Sequence, residues 1–284
     1  MIERIVDTNG VKIQFYESVN QSREAIVFLH PQGSSSKVWR NVDDHFSDYQ
    51  VILMDLRGQG HSDRPESGYD IETYCSDILA VLDASEIVKA HFVGNSLGGD
   101  IATAFAAMYP DRVISLTNID SGMIDYIGVD GERQISKVEV LEEFRNREIK
   151  SFATKEEILQ YVESIFPKEI WTTYFEEWFK FVSIYEIENG QVSYQIPVRI
   201  NTQIMAMVCD LHYKDLYRQI TCPILFLPAE KEDHLHTKLA YIEEASKYTQ
   251  TRLKIIPGSK HLMVLDQLNE VYREIYDFVN SVSL

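Results

Sequence analysis

Six residues, Gly94-Asn95-Ser96-Leu97-Gly98-Gly99, constrain this chain more than any other stretch of it. They directly follow a short apolar run at 90–93 and directly precede a helix-like run at 100–108. A serine surrounded by small residues at such a junction matches the G-x-S-x-G strand-to-helix turn. The turn is tight and strained, so the neighbouring positions must be small for the backbone to fold back. It exposes the serine hydroxyl and aims the following backbone N–H at a developing oxyanion. The plain alternative is a Gly-rich turn with an incidental serine; the strand–turn–helix context favours the reactive one.

The flanking pattern agrees with such a turn. Two strand-like runs, 2–6 and 11–16, are separated by Asp7-Thr8-Asn9-Gly10, and Asn-Gly is a strong hairpin signal. Beyond them, apolar runs at 25–29, 50–54, 90–93 and 113–119 alternate with helix-like stretches at 37–46, 71–84 and 97–108. In the second of these, Ile71, Tyr74, Ile78, Leu79 and Leu82 recur at helical spacing. Short buried strands alternating with amphipathic helices predict an α/β fold, a mostly parallel sheet flanked by helices.

The alternation lapses near Gly122 and resumes at Pro223. In between lie helix-like segments at 137–147, 154–165 and 168–182, an Asn189-Gly190 hairpin flanked by 184–187 and 192–196, and a helix-like run at 198–211. This section lacks a parallel-strand signature and reads as an inserted α-rich cap over 123–214. Residues 1–122 and 215–284 form the core, which closes with strands at 224–227 and 252–256 and a helix from about 265 to 282.

Composition narrows the function classes. With 27 Lys+Arg against 44 Asp+Glu, the formal charge is −17. That charge disfavours nucleic acid, whose binding rests on basic residues releasing counterions, and it disfavours anionic membrane surfaces. The acidic excess gathers partly in the expected cap, at 139–148 and Glu176-Glu177, where solvated helix faces are the plain explanation. Cys75, Cys209 and Cys222 are scattered without C-x-x-C spacing, so neither a metal site nor a disulfide framework is expected. No signal-peptide pattern opens the chain and no run of eighteen apolar residues occurs. The expectation is a cytoplasmic protein, monomer or homodimer, acting on a small molecule with no cofactor and no metal.

A serine hydroxyl is a weak nucleophile and needs a base oriented by a third group. In this turn architecture the order along the chain is Ser, acid, His. His261 fits the base: it follows the 252–256 run through Pro257-Gly258-Ser259-Lys260 and precedes the closing helix. His30, His45, His61 and His91 precede Ser96, and His212, His234 and His236 do not follow the last strand. The acid is expected after 224–227, where Glu230, Glu232 and Asp233 crowd together; Asp120, after the preceding core strand, is a further candidate. The loop His30-Pro31-Gln32-Gly33-Ser34 is placed to complete an oxyanion hole. Pro31 has no N–H, so Gln32 and Leu97 are the candidate backbone donors.

These motifs together resemble the α/β-hydrolase superfamily, in particular its cap-bearing esterase, lactonase and carbon–carbon hydrolase branch. The resemblance covers nearly all of the chain outside the cap. It rests on Phe28-Leu29-His30, on Asp55-Leu56-Arg57-Gly58-Gln59-Gly60-His61-Ser62, on the turn at Ser96, on Tyr109-Pro110-Asp111-Arg112-Val113 and on Pro257-Gly258-Ser259-Lys260-His261. The chain departs from the family where His30-Pro31 replaces the usual His-Gly and where Ala229 replaces a usual Gly. The family's spacing, counted from Pro223, places the acid at Glu232, where Asp is usual; Asp233 is one residue away with the usual chemistry. The family's dehalogenase and epoxide-hydrolase branches carry an aspartate at the turn, which Ser96 argues against.

The resemblance implies a serine hydrolase that cleaves a small, largely apolar carboxylic ester or lactone through an acyl-enzyme on Ser96. The alternatives are carbon–carbon hydrolysis of a diketone and a hydrolase-fold ligand receptor with little turnover. Trp171, Tyr174, Phe175 and Trp178 recur at helical spacing, with Phe179 and Phe181 beside them. Packing of that helix is their plain use. Lining an apolar pocket, with Met205 and Met207, is the functional one.

Overall fold

The computed structural model describes residues 1–19, 24–165, 182–187 and 190–282. The first strands, β1 (Ile2–Thr8) and β2 (Val11–Glu17), pair antiparallel with Thr8 opposite Val11. Asn9 and Gly10 between them both take positive φ, 55° and 83°, the left-handed two-residue turn that matches strand twist. The other strands of the main sheet are β3 (Ala25–Leu29), β4 (Gln50–Met54), β5 (Ala90–Asn95), β6 (Val113–Ile119), β9 (Ile224–Leu227) and β10 (Thr251–Leu253). A separate two-stranded ribbon pairs β7 (Tyr185–Glu186) with β8 (Val192–Ser193). The main sheet runs β1-β2-β4-β3-β5-β6-β9-β10, antiparallel at the β1–β2 and β2–β4 pairings and parallel from β4 onward.

Ten α-helices accompany the strands: α1 (Val42–His45), α2 (Ile71–Ala84), α3 (Leu97–Met108), α4 (Lys137–Arg145), α5 (Lys155–Ile165), α6 (Val198–Val208), α7 (Tyr213–Leu216), α8 (Leu235–Ala245), α9 (Met263–Asp266) and α10 (Leu268–Val282), counted among the described residues. The two faces of β3 show why the strands read as unbroken apolar runs. Val27 and Leu29 join the cluster under α2 and α3, while Ile26 and Phe28 join the cluster under Trp39, Phe46 and α10. A strand buried on both faces has no polar alternation to display. α10 covers its face with Leu268, Val271, Tyr272, Ile275, Phe278 and Val279, a helical stripe.

Three local expectations change. The run 37–46 is a 3-10 turn, Ser36–Val38, and a short α1, separated by Asn41 at φ 53°. That left-handed residue redirects the chain so that Trp39 and Phe46 both pack on Phe28. The last strand ends at Leu253, with Ile256 bridging to Ala229 beyond it. α8 is a helix absent from the expected elements, and it buries Lys238 along with Tyr241, Ile242 and Ala245.

Between β6 and β9 the described residues add no strand to the main sheet. α4 packs against α6, and α5 shares a small cluster of Phe152, Ile158, Val162 and Val182 with the ribbon strand β8. The aromatic set Trp171 to Phe181 and the pair Glu176-Glu177 lie outside the described residues, as does Asn189 of the expected turn. Ser183 ties this inserted segment to the core: its hydroxyl donates to Ser34 O at 2.5 Å and accepts from Gly60 N–H at 2.7 Å. No helix of the described residues is long and apolar enough to cross a membrane.

Candidate active site

Ser96 follows the last residue of β5 and begins α3, with φ 52° and ψ −128°. A side chain at such angles is strained by on the order of 1–3 kcal/mol. The packing around it enforces the conformation. A Cβ on Gly98 would run into the Leu29 backbone, and one on Gly94 into the Gly98 backbone. The small residues of the motif therefore let α3 start directly against β3 and β5.

His261 reaches Ser96 from the loop after β10. Its Nε2 lies 3.0 Å from Ser96 Oγ, and its Nδ1 lies 2.7 Å from Asp120 Oδ2. The acid on the imidazole is thus Asp120, in place of the expected Glu232 or Asp233. Register supplies the reason. Asn95 pairs with Ile119, so Ser96 and Asp120 leave adjacent parallel strands side by side, and both take positive φ, 52° and 46°. Asp120 N–H also donates to Leu227 O at 3.0 Å, which anchors it to β9.

Glu232 is close but engaged differently: its Oε1 accepts the backbone N–H of His261 at 3.0 Å. Asp233 is exposed. The loop after β9 still serves the site through its backbone, because Ala229 N–H donates to Asp120 Oδ1 at 2.9 Å. Lys238, one turn into α8, donates to the same oxygen at 2.8 Å. The sequence carried one signal for Asp120, a carboxylate directly after a core strand next to the serine's strand. It carried none that separated Lys238 from the other lysines.

Electrostatics follow from these contacts. Burial acts to raise the Asp120 carboxyl, but the His261 bond and the Lys238 charge outweigh it and hold the group below its ordinary value. Burial likewise acts to lower His261, yet the bond and charge of Asp120 dominate and lift it above its ordinary value. Asp120, Glu232 and His261 each bring one ligand atom within 4.8 Å of the others, a spacing that a metal ion accepts. Here His261 Nδ1 is bonded to Asp120 Oδ2, and Glu232 Oε1 accepts the His261 backbone N–H.

The expected oxyanion donors belong to the same place. Gln32, Leu97, Ser96 and His261 line one cavity of about 620 Å³. The Gln32 loop is held from behind. His30 Nε2 accepts from Leu56 N–H at 3.0 Å, its Nδ1 lies 2.7 Å from Pro31 O, and Gln59 Oε1 accepts from Gly33 N–H at 2.5 Å. That pattern requires a neutral His30 with its proton on Nδ1, and burial lowers its basicity accordingly. The Gln32 side chain donates to Asn201 Oδ1 of α6 at 2.7 Å, joining the loop to the inserted segment.

The rest of the cavity wall mixes apolar and acidic groups. Ile124, Phe144, Ile196, Met205 and Val208 line it, whereas Met207 is buried in the core outside the lining. Asp100, Glu132 and Glu232 also face it, with Arg147 as the guanidinium in the wall. Burial pushes the Asp100 carboxyl up to about 6 against the opposing bonds from Tyr213 and Gly122, and burial raises Glu132 as well. A serine hydrogen-bonded to a histidine that a buried aspartate holds has the parts for attack on a carbonyl.

The sequence model of the alpha/beta hydrolase fold family matches residues 24–156. The chain is 39% identical over 113 residues to the 2-hydroxy-6-oxononadienedioate/2-hydroxy-6-oxononatrienedioate hydrolase of Burkholderia vietnamiensis (strain G4 / LMG 22486), covering 38% of this chain and 39% of the relative. It is 32% identical over 114 residues to a putative 2-succinyl-6-hydroxy-2,4-cyclohexadiene-1-carboxylate synthase of Bacillus subtilis (strain 168), covering 39% of this chain and 42% of the relative. The matches thus span about two fifths of the length of these curated relatives. Among solved structures, E-2-(acetamidomethylene)succinate hydrolase superposes with a TM-score of 0.77 at 22% identity, covering 98% of this chain and 99% of that one.

Proposed function

Because the alpha/beta hydrolase fold family model matches residues 24–156, we propose that this chain is a serine hydrolase of the α/β-hydrolase superfamily cleaving a small, largely apolar carboxylic ester or lactone through an acyl-enzyme on Ser96. The observation that carries the reading is the row Ser96 Oγ, His261 imidazole and Asp120 carboxylate, with spacings of 3.0 and 2.7 Å, in the lining of the cavity. Ser96 Oγ attacks the carbonyl carbon while His261 Nε2 takes its proton. Asp120 accepts the hydrogen bond from His261 Nδ1–H and so selects the tautomer whose Nε2 is free to act as base. The N–H groups of Gln32 and Leu97 receive the oxyanion. His261 then delivers its proton to the leaving oxygen, and a water activated by the same imidazole releases the acid. The inserted segment serves as a lid whose α6 contributes Asn201, Met205 and Val208 to the cavity.

Carbon–carbon hydrolysis of a diketone is the second reading, favoured by the 39% identity over 113 residues to the dienedioate hydrolase. The wall argues against a dicarboxylate of that kind here. Asp100, Glu132 and Glu232 would repel a second carboxylate, with Arg147 as the guanidinium on the other side of the balance. A hydrolase-fold receptor would bind its ligand tightly with negligible turnover. A fluorophosphonate probe and parallel panels of p-nitrophenyl esters, lactones and diketones decide among the three. Stoichiometric labelling abolished by Ser96→Ala, with ester or lactone turnover, is the expected result. Full esterase activity in Ser96→Ala would overturn the mechanism.

A further inference from the structure

We infer that Lys238 is a positioning residue of the hydrolytic centre: its ammonium fixes the Asp120 carboxylate on one side and holds down the basicity of His261 on the other. The inference rests on the hydrolase reading for its catalytic meaning and on geometry for the rest. Asp120 spends Oδ2 on His261 and Oδ1 on Lys238 Nζ and Ala229 N–H, at 2.8 and 2.9 Å. The lysine side chain is 3% exposed and the aspartate side chain 0%. A lysine that deep is costly unless its charge is matched, and Asp120 is the carboxylate that matches it. α8 delivers it there through the turn that starts at His234, whose O accepts the Lys238 N–H at 2.9 Å.

The charges around the imidazole explain what the ammonium does. Asp120 bonds the ring and Glu232 bonds its backbone, while Glu132 and Asp100 face the same cavity. His234 and Ser96 complete the near surroundings, and Arg147 lies in the cavity wall. Four carboxylates therefore favour the imidazolium form, and Lys238 is the buried full cation set against them at the acid itself. An imidazole held as imidazolium is no base, and general-base catalysis works best when the group titrates close to the working pH. The electrostatic contributions to His261 have these signs, with Asp120 and Glu232 raising it and Lys238 lowering it. The lysine shares the aspartate's charge with the ring, so the base keeps its orientation without being locked in its protonated state.

The test is an NMR titration of the His261 imidazole in histidine-labelled protein, assigned by its absence in His261→Gln, together with the pH dependence of fluorophosphonate reaction at Ser96. Three variants are compared. Lys238→Met removes charge and hydrogen bond, Lys238→Gln keeps a donor for Asp120 without the charge, and Lys238→Arg keeps the charge. We expect the His261 midpoint to rise by on the order of one pH unit in Lys238→Met and Lys238→Gln, as for an ion removed from within a few ångströms. The acidic limb of the probe reaction should rise with it, which is about a tenfold slower reaction at a pH one unit below the wild-type midpoint. In Lys238→Arg the midpoint should stay near that of the wild type. If Lys238→Met does not fold, Lys238→Gln carries the test with its hydrogen bond intact. An unchanged midpoint in the folded neutral variants overturns the role assigned to Lys238. The titration needs no turnover, so a protein that the probe never labels but whose midpoint moves removes the hydrolase reading and leaves the charge effect established.

Discussion

Replacing Asp120 with Asn tests the site at the contact that differs most from expectation. The substitution keeps the shape and removes the charge. Oδ1 must continue to accept from Ala229 N–H and Lys238 Nζ, at 2.9 and 2.8 Å in the wild type. The amide NH2 therefore takes the position of Oδ2, facing His261 Nδ1, where the wild type has a carboxylate oxygen at 2.7 Å. Two donors cannot share that contact, so the imidazole moves its proton to Nε2 and presents an N–H to Ser96 instead of a lone pair. The wrong tautomer costs about 10³- to 10⁴-fold in kcat, or about 4–5.5 kcal/mol of transition-state stabilisation. The acidic limb of the rate should move as well. With Asp120 intact it lies above 6.5, the ordinary value for histidine, because the bond and charge of Asp120 outweigh burial; without that charge burial prevails and the limb falls. Glu232→Gln is the matched control, since Gln Oε1 still accepts the His261 backbone N–H, and it should cost less than about tenfold. Burst-phase hydrolysis of p-nitrophenyl acetate and fluorophosphonate reaction rates, measured across pH on protein checked for folding, supply the data. An Asp120→Asn enzyme within tenfold of the wild type, or a Glu232→Gln enzyme that falls equally far, would refute this reasoning.

Two further predictions concern stability. Gly98→Ala places a methyl group against the Leu29 backbone carbonyl and should destabilise the fold by about 2–3 kcal/mol in urea unfolding; an unchanged midpoint would mean that α3 does not start as close to β3 as described. Asp100→Asn should stabilise the protein in a pH-dependent way. Burial raises the folded-state carboxyl to about 6 from an ordinary 3.8, so its penalty is absent below 3.8, grows across that window and is complete above it. The gain in Tm from Asp100→Asn should therefore be larger at pH 8 than at pH 4, and equal gains at both would refute it.

The parts of the site that depend on local geometry were readable along the chain. Gly94-Asn95-Ser96-Leu97-Gly98 announces a turn because small residues flank a serine at a strand-to-helix junction, although the backbone that Gly98 must clear is that of Leu29 in β3. His261 was legible because a loop following the last strand has few other histidines to offer. The fully buried strand β3 was readable from its unbroken apolar run, and the amphipathic α10 from its helical stripe. The run 37–46 reads as one helix because its apolar spacing suits a helix, whereas burial of Trp39 and Phe46 on Phe28 goes with a left-handed break at Asn41.

The sequence by itself determined the strand–turn–helix that carries Ser96, the alternating α/β core and the late histidine. Tertiary structure alone decided which carboxylate that histidine meets. Glu232 and Asp233 sit where chain order leads one to look, and no local pattern distinguishes them from Asp120, 141 residues before His261. The choice follows from the pairing of Asn95 with Ile119, which sets Ser96 and Asp120 side by side at the ends of two parallel strands. It also follows from α8, which brings a buried ammonium to the far side of the same carboxylate. Strand register and helix placement are properties of the packed sheet, made by residues far apart in the chain, and hydrogen bonds at 2.7–2.9 Å are decided only once that packing is complete.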